Sequence, residues 1–87
     1  MKFLVYAIYN KNRDKIYIGH TSDLDSRIER HNGVLKNKSK SFTHRNSGKW
    51  DLVYSEEFET RIESINRERE LKSFRGREFV RSLIKEE

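Results

Sequence analysis

The chain contains no cysteine and no proline. Without cysteine there is neither a disulfide framework nor a thiolate zinc site, and residue usage gives no pointer to an oxidising compartment. No apolar run approaches the length of a bilayer-crossing helix, and the N-terminal residues lack the apolar core and cleavage site of a secretory leader. A soluble, cytoplasmic protein is the expectation. Apolar residues are also scarce, at 33% against 38% charged, so a modest core must sit beneath a salt-laced surface. Eighty-seven residues leave room for one two-layered domain spanning 1–87, with no internal repeat. Disorder does not fit, because the aromatic and Ile/Val/Leu residues fall in periodic clusters.

What is present is unevenly charged. Between Asn32 and Trp50 lie Lys36, Lys38, Lys40, Arg45 and Lys49 with no acid, which accounts for the whole net charge of +5. The remainder carries 14 basic residues (19 less 5) against 14 acidic ones. A concentrated basic segment beside a neutral body is an electrostatic footprint suited to a polyanion.

"KFLVYAIYN" is rich in β-branched and aromatic residues and predicts a central strand covered on both faces. Turn formers in "NKNRD" separate it from "KIYIGHT", so the two strands make a hairpin. "SDLDSRIERHNG" predicts a helix capped by Ser22 and stopped at Gly33. After the basic segment, "WDLVYSEEF" is a third strand, and Trp50 reads as core at its start. A charged helix is expected from Glu59 to Phe74, broken near Gly76. "REFVRSLIKEE" then forms an amphipathic helix with Phe79, Val80, Leu83 and Ile84 on one side. The order β-β-α-β-α-α predicts an α+β domain, a small three-stranded antiparallel sheet flanked by three helices.

Several polar residues fall on faces expected to point inward. An even turn centred between Lys11 and Asn12 sets Tyr6 directly opposite Tyr17, bringing two phenols together. On the first helix, Leu24, Arg27, Ile28 and His31 share a stripe about 100° wide. On the long helix, Glu68 interrupts the row of Ile65 and Leu71, with Lys72 one turn on as an ion-pair partner. Phenols, a guanidinium, an imidazole and a carboxylate together suit phosphodiester hydrolysis. A phenol whose pKa is lowered by nearby positive charge can move a proton, and a guanidinium can clamp a phosphate oxygen. A single carboxylate can hold a hydrated Mg²⁺.

The segments "LVY" (Leu4–Tyr6), "YIG" (Tyr17–Gly19), "DLDSRIERH" and "RERELK" (Arg67–Lys72) resemble the GIY-YIG nuclease family. The match is to its small stand-alone members, similar to the N-terminal nuclease domain found in bacterial excision repair. "YIG" alone is weak, but "T-x-D-L-x-x-R-x-x-x-H-N" at fixed spacing after it is specific. The resemblance implies cleavage of DNA dependent on Mg²⁺ or Mn²⁺, with Tyr6, Tyr17, Arg27, His31 and Glu68 as site residues and Glu68 as the metal ligand. Gly19, the motif glycine, leaves room for a helix or substrate backbone to approach. The first triplet reads Leu-Val-Tyr rather than Gly-Ile-Tyr, and family spacing selects Tyr6 over Tyr9. His20 stands where relatives often carry an aliphatic residue or lysine, and is taken as a bystander.

The expected function is a metal-dependent DNA endonuclease, structure-selective or non-specific, acting as a monomer or weak homodimer. RNA stays open as a substrate. Lys36, Lys38, Lys40, His44, Arg45, Lys49 and Lys72 would contact the nucleic acid. The competing expectation is a weak or inactive nucleic-acid-binding module within a larger complex, disfavoured because all five site residue types are present.

Overall fold

The computed structural model describes residues 2–32 and 49–84. Its elements are β1 (Phe3–Asn10), β2 (Lys15–Thr21), α1 (Leu24–His31), β3 (Trp50–Phe58), α2 (Arg61–Lys72) and α3 (Phe74–Ser82). The three strands form one antiparallel sheet in the order β2-β1-β3. The most apolar strand is therefore central, as its composition requires, and Val5, Tyr6, Ala7 and Ile8 are all fully buried. No helix among the described residues is long and apolar enough to cross a membrane.

The sheet separates two cores. On one face, Val5, Ala7, Ile16 and Ile18 pack with Leu71 of α2 and Val80 of α3. On the other, Tyr6, Ile8 and Trp50 pack with Tyr17 and with Leu24 and Ile28 of α1. A bulge lets β3 serve both faces. Ala7 pairs with Tyr54 but Ile8 pairs with Leu52, leaving Val53 as the extra residue. Even-numbered residues thus change sides along the strand. Trp50 faces α1 and is 1% exposed, while Tyr54 and Phe58 join the core beneath α2 and α3.

The helix ends differ from the sequence expectation in instructive ways. Asp23, not Ser22, caps α1, its carboxylate accepting from the Ser26 N–H at 3.3 Å and the Ser26 hydroxyl at 2.8 Å. The long helix stops at Lys72 because Ser73 is a double cap. Its hydroxyl donates to Glu70 O at 2.6 Å and accepts from Gly76 N at 3.2 Å. Gly76 breaks nothing; it lies in the first turn of α3. A Cβ there would come within 2.2 Å of Glu70 O and 2.4 Å of Leu71 Cα, so glycine is what lets α3 start hard against the end of α2.

Candidate active site

The hairpin turn decides how the phenols meet. Lys11–Asp14 form a four-residue loop, with Asp14 in the left-handed region at φ 51°, and Asn10 pairs with Lys15. The turn is therefore centred one residue later than expected, and Tyr6 stands opposite Gly19 while Tyr17 stands opposite Ile8. The phenols still share a face, now as diagonal neighbours with ring centroids 6.2 Å apart and planes inclined by 39°. The room at Gly19 is filled by this arrangement rather than by a helix or substrate. A Cβ there would lie 2.8 Å from Tyr6 Oη and 3.0 Å from Tyr17 Cε1. Tyr9 points away on the opposite face, its hydroxyl donating to Asp14 Oδ1 at 2.8 Å.

Arg27 reaches this pair from α1, where Leu24 and Ile28 anchor the helix to the sheet. Burial works against its charge, but hydrogen bonds and charge interactions with Tyr6 and Tyr17 outweigh that and hold its pKa above the ordinary value. Its Nε is buried with no hydrogen-bond partner among the described residues. A buried, unpaired guanidinium N–H is costly, and it is the kind of group an incoming anion satisfies. Tyr6 is pushed up to about 12, first by burial, with the hydrogen bond from Arg27 opposing and the charge of Glu68 adding to the rise. The lowered pKa expected of an activated phenol is thus not met at Tyr6, because desolvation outweighs the neighbouring cation.

Glu68 projects from α2 to the β2 edge of the sheet, where it closes a second cluster. His20 Nδ1 donates to Glu68 Oε2 at 2.9 Å, and Lys72 Nζ lies 3.3 Å from Oε1. Only 14% of the Glu68 side chain is exposed, against 30% for His20 and 50% for Lys72. His20 is therefore in contact with Glu68 rather than a bystander. The signal in the sequence was its place at the end of an edge strand facing α2. Asn32 was visible only as a motif letter. Its side chain accepts from Trp50 N at 2.6 Å and donates to Trp50 O at 3.1 Å, pinning the end of α1 to the start of β3.

The sites predicted from sequence divide into three groups. Tyr6, Tyr17 and Arg27 are brought together, and Glu68 lies within charge reach of Tyr6. His31 closes α1, but its side chain lies outside the described residues, as do Lys36, Lys38, Lys40, His44 and Arg45. Lys49 is 81% exposed, 3.6 Å from Asp51. Among the described residues no three His, Cys, Asp or Glu side chains gather as a metal cage. A lone carboxylate, however, fits an ion such as Mg²⁺, which keeps most of its waters and takes its remaining ligands from phosphate.

A three-stranded α+β domain with two phenols around a buried guanidinium, and a carboxylate at the same sheet edge, defines a nuclease-type catalytic domain. The chain belongs to the GIY-YIG catalytic domain family, whose model matches residues 2–79. A UPF0213 protein of Staphylococcus aureus (strain Mu3) is 35% identical over 74 residues, covering 82% of this chain and 80% of the relative. The solution structure of the UPF0213 protein BH0048 from Bacillus halodurans is similar at 30% identity and TM-score 0.54, covering 95% of this chain and 85% of that one.

Proposed function

We propose that this chain is a divalent-metal-dependent DNA endonuclease that hydrolyses phosphodiester bonds. The observation that carries the proposal is the buried, unpartnered Nε of Arg27 beside two phenols. In this reading Arg27 binds the non-bridging oxygens of the scissile phosphate and opposes the charge that develops there. Tyr6, fully buried and firmly protonated, holds the guanidinium in place. Tyr17, only half-buried, is the phenol that water reaches and that takes its proton. His31 assists that proton transfer. Glu68 holds Mg²⁺ or Mn²⁺, with His20 and Lys72 fixing the carboxylate. Bound there, the ion supplies positive charge to the phosphate.

The segment with Lys36, Lys38, Lys40, His44, Arg45 and Lys49 grips the backbone without reading sequence, so affinity falls steeply with salt. Phe42 beside it offers a stacking surface. The substrate is DNA, cut structure-selectively or non-specifically by a monomer or weak homodimer in the cytoplasm, with a role in DNA repair.

A second reading, a nucleic-acid-binding module without cleavage, draws on the pairing of both Glu68 oxygens. One experiment separates the two. Flapped, branched and nicked duplexes, single strands and RNA are each labelled and incubated with Mg²⁺ or Mn²⁺. New products that disappear with a chelator support the nuclease. Binding to the panel with every strand intact supports the module.

A further inference from the structure

The sheet order leaves β2 at an edge, and that edge is open beside the candidate active site. A cavity of about 140 Å³ lies there, lined by Ile16, Tyr17, Ile18, Lys72 and Arg77. Ile16 and Ile18 belong to the core face beneath α2 and α3, whereas Tyr17 packs on the α1 face. The cavity therefore wraps around the strand edge. It is also continuous with the site at two points, since Tyr17 contacts Arg27 and Lys72 contacts Glu68.

The lining combines an aromatic ring, two aliphatic side chains and two cations, with no acidic side chain among the described residues that line it. Lys72 is answered by Glu68. Arg77 is held differently: its Nε donates to the backbone oxygen of Lys72 at 3.1 Å. A neutral carbonyl aims the guanidinium without cancelling its charge. A cation fixed over an apolar, aromatic wall matches a sugar-phosphate unit, which offers one anionic and one largely apolar surface.

We propose that the open edge of β2, between Tyr17 and the cations Lys72 and Arg77, is a subsite for the sugar-phosphate of a nucleotide next to the one that is cut. This subsite rests on the nuclease reading for its neighbour, but its own test needs no cleavage. The substrate strand would run along β2, with Arg77 on a flanking phosphate while Arg27 holds the scissile one.

The experiment measures binding of a fluorescein-labelled single strand of about 20 nucleotides, in chelator, from roughly 50 to 200 mM salt. Arg77→Gln should weaken binding about 5- to 10-fold at the lower salt. It should also reduce the slope of log affinity against log salt by about 0.7, the value for one lost phosphate contact on a single strand. Arg77→Lys keeps the charge and should restore most of the slope. Arg75→Gln removes an equal charge from the cleft between α2 and α3 and should leave the slope nearly unchanged. An unaltered slope in Arg77→Gln overturns the subsite. So does an equal loss in Arg75→Gln, or a loss in Arg77→Lys as large as in Arg77→Gln, which would mark a helix-end role. A chain that fails to bind the strand overturns it too. If the strand binds as described but no DNA is ever cut, the nuclease proposal fails and the subsite stands as part of a binding module.

Discussion

Replacing Gly19 by alanine probes the join between fold and site. The added methyl would meet Tyr6 Oη at 2.8 Å and Tyr6 Cζ and Tyr17 Cε1 at 3.0 Å. Tyr6 has no exposed surface, so its ring has nowhere to retreat without moving Arg27 or α1. Two effects oppose one another. Alanine is favoured over glycine in a strand by about 0.5–1 kcal/mol, whereas overpacking a filled site costs about 1–3 kcal/mol. The balance is a loss of about 1 kcal/mol, which lowers Tm by roughly 4–8 °C in a chain of this size. Cleavage should fall further, by about 10- to 100-fold, because a displaced phenol misplaces the guanidinium. Thermal melts and single-turnover rates of Gly19→Ala measure both. Repeating the substitution in a Tyr6→Phe background removes the 2.8 Å contact and should recover at least about 0.5 kcal/mol of the loss. A Gly19→Ala chain that melts at or above the parent temperature would refute the packing argument.

Three further outcomes follow from the same geometry. Tyr6 is protonated in the folded chain with its pKa raised to about 12, so its stabilising contribution is complete below pH 10 and is lost as pH rises through 12. That loss is roughly 2–3 kcal/mol and should be absent from Tyr6→Phe in urea melts compared across this window. Gly76→Ala forces a methyl against backbone that cannot yield and should cost about 3 kcal/mol in the same assay. His20→Ala should raise the Mg²⁺ needed for half-maximal cleavage about 10-fold, while stability changes by less than about 1 kcal/mol.

Element type and order were legible because each segment carries its own period. The three strands begin and end where turn formers and charge interrupt the apolar pattern, and β1 is central because it is apolar on both faces. Boundaries set by a single side chain were less visible. Ser73 serves two helices at once, and nothing in the local pattern ranks Ser73 above Gly76 as the break. The bulge at Val53 was hidden for a similar reason, since strict alternation would have put Trp50 and Tyr54 on one face. The hairpin register missed by one step in the turn, but slipping the pair by two kept both phenols on the same face. Within the site, the inward stripe of α1 predicted Arg27 from spacing alone. Contacts between distant segments were not available from spacing. His20 meets Glu68 across 48 positions of sequence, and only the packing of α2 against the β2 edge brings them together.

The central claim, that Glu68 and the phenol–guanidinium cluster act on one phosphodiester, is tested most directly by the single-turnover cleavage rate of Glu68→Gln against the parent chain. Both are measured on whichever labelled substrate the parent cuts best, at saturating Mg²⁺. Loss of a metal-holding carboxylate removes several kcal/mol of charge stabilisation, so the rate should fall at least about 100-fold while binding in chelator is retained. A Glu68→Gln chain that cuts within about twofold of the parent would contradict the account.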